Sequence, residues 1–467
     1  MMKMSTSMLV AVASVLVLAS AAFAAVPADR VKSLPGWSSD FPSDFYSGYL
    51  DVGHGKHLHY FLVESERDPA NDPVLFWFNG GPGCSSLDGF FYELGPLHIT
   101  EPVQPNNPKL YLNPHRWTKN ATVVFLEAPA GVGFSYADTK QGLVTNDTQV
   151  CVWVWVRERE RECVCVCVCV CVCAYVPMLA LQVLEHNKRA DSTVINLKGI
   201  MVGNGVIGAG ALDDATSQRV YTEFYRGHAL VSSTLYNTIV KACDDFNNVS
   251  APACKQALNR MHDAIGGVNI YDVYEPCINS GFPPSSSNTL SAANTTTTTP
   301  RRFSKRPLMA FEDATALTGP KECINAGAAT AYLNMASVRE AMHVKSEKDI
   351  GKWEICSDKI DYSVTQGSLM PAYKHFLIPN IRVLIFNGDV DACVPFTHNE
   401  WWTSNINMTV SAPWHPWTVD NQVAGYVVEY GSNFQFATVK GSGHMVPQYR
   451  PAQAEAMLHR FINNKPL

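Results

Sequence analysis

The stretch that decides the fold is WFNGGPGCSSLDGFFYELGP, Trp77 to Pro96. It opens inside an apolar run, Val74 to Phe78 (VLFWF), and passes at once into a turn dense in glycine. A short run of β-branched and aromatic residues that stops in such a turn reads as a buried strand feeding a functional loop. Glycines there let the backbone approach a ligand and turn N–H groups toward developing negative charge. The pattern recurs at Thr122 to Leu126 (TVVFL), at Val194 to Val202 (VINLKGIMV) ahead of Gly203-Asn204-Gly205, and at Ile381 to Phe386 (IRVLIF) ahead of Asn387-Gly388-Asp389. It appears again at Phe434 to Val439, and helical stretches such as Ala331 to Met342 lie between the strands. Strands alternating with helices predict an α/β fold with a mostly parallel sheet covered on both faces.

The chain has 467 residues, 46% of them hydrophobic and 17% charged, enough to bury a large core, which excludes disorder throughout. A net charge of -6, spread along the sequence, leaves no basic face for nucleic acid. Met1 to Ala24 reads as a secretory signal: Lys3, an apolar run from Met8 to Leu18, then small residues ending Ala22-Phe23-Ala24. The mature chain is therefore expected in the secretory pathway, in a lysosome or vacuole or outside the cell, with no membrane attachment after cleavage. Asn120, Asn146, Asn248, Asn294 and Asn407 open glycosylation sequons, in keeping with that route.

The expected division is a core from 25 to 207, an inserted helical cap from 208 to 318 where the strand pattern weakens, and a second core part from 319 to 467. Within the cap lies a linker, 283 to 306, in which Pro283 to Pro300 is almost pure Ser, Thr, Asn and Ala and is followed by Arg301-Arg302 and Lys305-Arg306. Such a stretch cannot form a core, so it is either an exposed loop or a linker cut at its basic residues.

The Trp77 block resembles the serine carboxypeptidases, a family of α/β-hydrolases that includes the lysosomal protective protein and vacuolar and plant enzymes. The likeness extends through FLEAPAGVGFSY from Phe125, YVPMLA from Tyr175, GNG from Gly203, AYLNMASVREAMHV from Ala331, FNGDVDACVP from Phe386 and GSGHMVPQYRP from Gly441. The resemblance implies that the Gly81 N–H supplies half of an oxyanion hole, and that Asn79 and Glu93 help hold the substrate's terminal carboxylate. It implies Asp391 as the triad acid and His444 as the general base, with Asp389 shaping the turn. It also implies the bridges Cys84 to Cys356, Cys243 to Cys254 and Cys277 to Cys323, with Cys393 left a thiol. The resemblance calls for no cofactor or metal and implies peptide or protein C-termini as partners; family members are often dimers, which leaves monomer and homodimer both open here.

One element of the family pattern is missing. Its nucleophile sits in a Gly-Glu-Ser-Tyr-Ala-Gly elbow directly before HYVP, yet here Tyr175-Val176-Pro177 follows RERERECVCVCVCVCVCA, Arg157 to Ala174. Cys-Val repeats are what TGTGTG encodes and Arg-Glu repeats what AGAGAG encodes, so the segment, 150 to 174, reads as a translated dinucleotide repeat. Thiols at period two would share one strand face, unlike the Cys-x-x-Cys spacing of zinc sites. Both the elbow and the strand that presents it are expected to be lost. Ser135, in Gly133-Phe134-Ser135-Tyr136-Ala137, mimics an elbow, but the family carries GVGFSY alongside its nucleophile. The sequence thus predicts a serine-type carboxypeptidase without its serine, inactive as written. The alternative is a catalytically silent binding or chaperone-like protein that genuinely carries the run.

Overall fold

The computed structural model describes residues 26–100, 108–147, 163–168, 175–189, 194–208, 210–277, 323–324 and 326–467. The signal, the Arg-Glu part of the run and the Ser/Thr-rich linker lie outside them, as does Asn294. Ten strands carry the argument: β1 (Phe45–Asp51), β2 (Lys56–Val63), β3 (Val74–Asn79), β4 (Thr122–Leu126), β5 (Cys163–Val168), β6 (Leu197–Gly203), β7 (Arg382–Gly388), β8 (Val410–Val419), β9 (Gln422–Tyr430) and β10 (Phe434–Val439). They form one sheet in the order β1-β2-β4-β3-β5-β6-β7-β10-β9-β8. The central pairs are parallel and the two margins antiparallel.

Period-two alternation divides the side chains between two cores. Val74, Phe76 and Phe78 of β3 pack in one core with Ile200, Val202, Val383 and Ile385. Leu75 and Trp77 pack in the opposite core with Val123, Phe125, Met201, Leu384 and Phe386. A strand whose both faces are apolar stays put only between two covering layers, which is why these runs read as continuous hydrophobic words rather than as alternation.

The expectation that the strand before Tyr175 is lost is overturned. Cys163–Val168 is β5, paired in parallel with β3 from Val74 to Asn79 on one side and with β6 on the other. The physical reason lies in the repeat itself: Val is β-branched, Cys is small and apolar, and neither residue denies its backbone to the ladder. Beyond it, α1 (Tyr175–His186) begins with Tyr175 to Ala180 buried. Residues 169–174, where the elbow belongs, are outside the described residues.

Within the predicted cap region lie α2 (Asp214–Gly227), α3 (Ser233–Ala242) and α4 (Pro252–Ile265). Asp213 and Ser232 cap the first two by accepting hydrogen bonds from Thr216 N and Leu235 N. The predicted helix over 331–342 is two short ones, α5 (Gly327–Leu333) and α6 (Ala336–Ala341). After them come α7 (Phe396–Asn405) and α8 (Pro451–Ile462). The bridges Cys84–Cys356, Cys243–Cys254 and Cys277–Cys323 are all formed, and Cys393 is a buried thiol. Among the described residues no helix is long and apolar enough to cross a membrane. Asn248 and Asn407 are exposed, whereas Asn120 and Asn146 are half-buried.

Candidate active site

Parallel strands bring their C-terminal ends to one edge of the sheet, where open α/β sheets place their ligand sites. β3 ends there in Asn79, β6 in Gly203, β7 in Gly388 and β10 in Val439. Each is followed by one of the loops singled out in the sequence.

Asp391 and His444 come from the loops after β7 and β10, and both are fully buried. His444 Nδ1 and Asp391 Oδ2 lie 2.8 Å apart. The same Oδ2 accepts from Asn204 Nδ2 at 2.7 Å, while Oδ1 accepts from Cys393 N at 2.8 Å and Val394 N at 3.3 Å. Four donors therefore fix the carboxylate, and the imidazole hydrogen-bonded to it has its Nδ1 side occupied and its ring plane set. Asp389 braces the turn: its Oδ1 accepts from Gly441 N at 2.6 Å, and burial pushes its carboxyl up. Gly388 is tolerated only as glycine, because a Cβ there would lie 2.1 Å from Gly443 O.

The loop after β3 is built around Asn79. Trp77 Nε1 donates to Asn79 Oδ1 at 2.6 Å and so turns the amide nitrogen toward two carboxyls. Asn79 Nδ2 donates to Glu93 Oε1 at 3.1 Å and to Asp88 Oδ2 at 3.2 Å. Glu93 lies on a single π turn, Gly89–Glu93, that packs on Trp77; a Cβ at Gly89 would sit 2.1 Å from Trp77 Nε1. Burial raises Asp88 to about 7, and a charged His444 opposes that rise. Gly81 has φ +132°, and a Cβ there would approach Gly83 N to 2.8 Å, so this turn demands glycine.

Three serines of the motifs are committed elsewhere. Ser86 Oγ donates to Leu126 O at 2.6 Å, and Ser135 Oγ donates to Glu127 O at 2.7 Å while accepting from His59 N at 2.8 Å. Ser85 Oγ donates to Glu127 Oε1. Glu127 is the centre of a buried group: its Oε2 meets His59 Nδ1 at 2.8 Å and accepts from Phe134 N at 2.9 Å, and Trp353 Nε1 donates to Oε1 at 3.2 Å. Together with the Cys84–Cys356 bridge, this group anchors the glycine loop from behind.

Sequence reasoning missed Asp88, Asn204 and Glu127, although all three stand inside quoted motifs. A carboxyl two residues past Ser-Ser and a glutamate in an apolar strand end were signals available to it. Among the described residues no cluster of His, Cys, Asp and Glu has the arrangement of a metal site.

Comparison with known proteins matches residues 35–156 and 173–464 to the family model described as serine carboxypeptidase. The interruption falls on the Arg-Glu and Cys-Val run. The chain is 36% identical to serine carboxypeptidase-like 20 of Arabidopsis thaliana, covering 92% of each chain. It is 35% identical to serine carboxypeptidase 1 of Hordeum vulgare, covering 93% of this chain and 92% of that one, and 35% identical to the lysosomal protective protein of Mus musculus, covering 95% of each. Kex1Δp, a prohormone-processing carboxypeptidase from Saccharomyces cerevisiae, superposes with a TM-score of 0.69 at 19% identity, covering 94% of this chain and 96% of that one. That last likeness concerns the α/β-hydrolase fold.

Proposed function

Since the chain belongs to the serine carboxypeptidase family, we propose that it is built to release C-terminal residues from peptides through an acyl-enzyme, and that the chain as written has lost the nucleophile for doing so. The observation that carries the reading is the Asp391–His444 pair at 2.8 Å, fully buried at the strand ends where the glycine loop and Asn79 also lie.

In a chain with its elbow, a serine would attack the last peptide carbonyl while His444 takes the hydroxyl proton and returns it to the leaving amine. Asp391 keeps the imidazole in the tautomer that leaves Nε2 able to accept that proton, and it offsets the imidazolium charge. The Gly81 N–H faces the developing oxyanion. The substrate's terminal carboxylate meets the group that Asn79 organises with Asp88 and Glu93, where a protonated Asp88 donates to it rather than repelling it. Water then releases the acyl group. The signal at the N-terminus and the sequons support a lysosomal, vacuolar or extracellular setting.

The alternative, a silent binding or chaperone-like homologue, is favoured by one observation: the Cys-Val run supplies a backbone-paired β5, so the fold does not require the lost strand's own sequence. Sequencing the transcript from Asn146 to Tyr175 separates the two. A Gly-Glu-Ser-Tyr-Ala-Gly exon, and C-terminal trimming by the protein that carries it, is the expected result. A transcript that encodes the run, from a protein that binds peptides without trimming them, overturns it.

A further inference from the structure

The residues that follow α4, Asn269 to Val273, run directly beneath the loops of Asp391 and His444. They belong to neither strand that delivers those loops. Ile270 O accepts from Ala392 N at 2.8 Å and from Cys393 N at 2.9 Å, and Val273 N donates to Val390 O at 3.1 Å. On the other side His444 N donates to Tyr271 O at 2.7 Å. The Tyr271 ring meets the His444 ring edge-on, with centroids 5.6 Å apart. Gly443 makes room for this contact, since a Cβ there would lie 2.3 Å from Tyr271 O.

This strap is itself held. Asn269 Oδ1 accepts from Tyr271 N at 3.0 Å, and Asn269 Nδ2 donates to Pro276 O at 3.4 Å. Cys277 comes next and is bridged to Cys323. Asn269, Ile270, Tyr271, Asp272 and Val273 are all buried, while Tyr274, one residue on, is 68% exposed. One short segment thus ties both loops by backbone hydrogen bonds and is anchored at its far end by a covalent bond.

We propose that Asn269–Val273 is a positioning strap for the acid–base pair, with Tyr271 setting the His444 imidazole and the Cys277–Cys323 bridge holding the strap in register. The inference rests on the reading of Asp391 and His444 as acid and base. Displacing a catalytic group by about 1 Å costs on the order of 10²-fold in rate, so a strap that fixes both partners bears directly on turnover.

The test needs no nucleophile. In the full secreted chain, a proton held between imidazole Nδ1 and a buried carboxylate gives a far-downfield NMR resonance, assigned by its disappearance in His444→Gln. The resonance is expected to be sharp in the wild type, in Tyr271→Phe and in C243S/C254S, which removes the other cap bridge. It is expected to broaden beyond detection in Tyr271→Ala and in C277S/C323S, with far-UV circular dichroism unchanged. Asn269→Ala loosens the strap without touching ring or bridge, and serves if either variant fails to fold; loss of the resonance there supports the proposal. A sharp resonance in the folded strap variants overturns it. Absence of the resonance from the wild type instead removes the acid–base reading, and the strap with it. In an elbow-restored chain, Tyr271→Ala should lower kcat on the order of 10²-fold with KM held.

Discussion

Asn204 and His444 donate to the same oxygen of Asp391, from 2.7 and 2.8 Å, although Asn204 arrives from β6 and His444 from the loop after β10. Asn204 stands at φ +49°, a conformation that asparagine tolerates better than most residues, and its own Oδ1 accepts from Gly388 N at 3.3 Å. Replacing it with alanine leaves a buried carboxylate one donor short, which costs about 1–3 kcal/mol. Asn204→Ala is therefore expected to lower the urea midpoint of the chain and, with the elbow restored, kcat. Asn204→Asp, which sets a second carboxylate against Asp391, should be worse. A midpoint unchanged in Asn204→Ala refutes the link.

A fluorophosphonate that reports activated serines should leave the chain as written unlabelled and label a version carrying the Gly-Glu-Ser-Tyr-Ala-Gly elbow. Loss of a triad nucleophile forfeits roughly six decades of kcat. Ser85, Ser86 and Ser135 each spend their hydroxyl proton on a buried oxygen. Labelling mapped to Ser135 would make that serine the nucleophile and sink the assignment.

Asp88 predicts a pH dependence. Burial holds its carboxyl at about 7 against an ordinary 3.8, with His444 opposing. Between those values the folded protein keeps a proton that the unfolded chain has released. This contribution to stability is complete below the unfolded pKa and disappears as pH rises through the folded one. Relative to Asp88→Asn, the wild type should lose on the order of a few kcal/mol across that window, read as diverging urea midpoints. Affinity for a peptide's terminal carboxylate should weaken over the same range, because Asp88 then carries a negative charge beside the ligand's own. Midpoints of wild type and Asp88→Asn that stay parallel with pH, together with an unchanged affinity, would refute this.

The Glu127 group makes a separate prediction about the glycine loop. Glu127→Ala strips His59, Ser85 and Trp353 of their shared acceptor in a fully buried place. Breaking a buried pair in this way costs about 3–5 kcal/mol. Glu127→Gln, which keeps an acceptor oxygen and the shape, should lose less. Equal destabilisation by both, measured by thermal melts, would mean that charge rather than hydrogen bonding holds the loop.

The parallel core was legible because strands buried on both faces have no choice but to be apolar throughout, and VLFWF, TVVFL and IRVLIF end in loops that their glycines announce. Asp391 and His444 were legible only through the blocks around them, since an isolated Asp or His carries no mark of its partner. Asn204 stands in a legible Gly-Asn-Gly turn but gives no sign of its role: a donor to a carboxylate 187 positions away has no local sequence mark. Asp88 was hidden for the same reason, as its meaning depends on where the Asn79 amide points. The strand in the Cys-Val run is hidden because a translated repeat carries no meaning as a word while its backbone still suits a ladder. Alternating valine is a good strand whatever produced it.

β5 has a consequence for how damage to such a protein would be noticed. A central slot in a parallel sheet requires a ladder of N–H and C=O groups and little else, so many different words will fill it. The few residues after it admit almost no synonyms, because a nucleophile must stand at one point in space. A cell's quality control responds to exposed apolar surface and unpaired backbone, and β5 offers its backbone to neighbours on both sides. A chain of this kind could pass that inspection and be kept. Measuring its abundance would not reveal the fault; only turnover would.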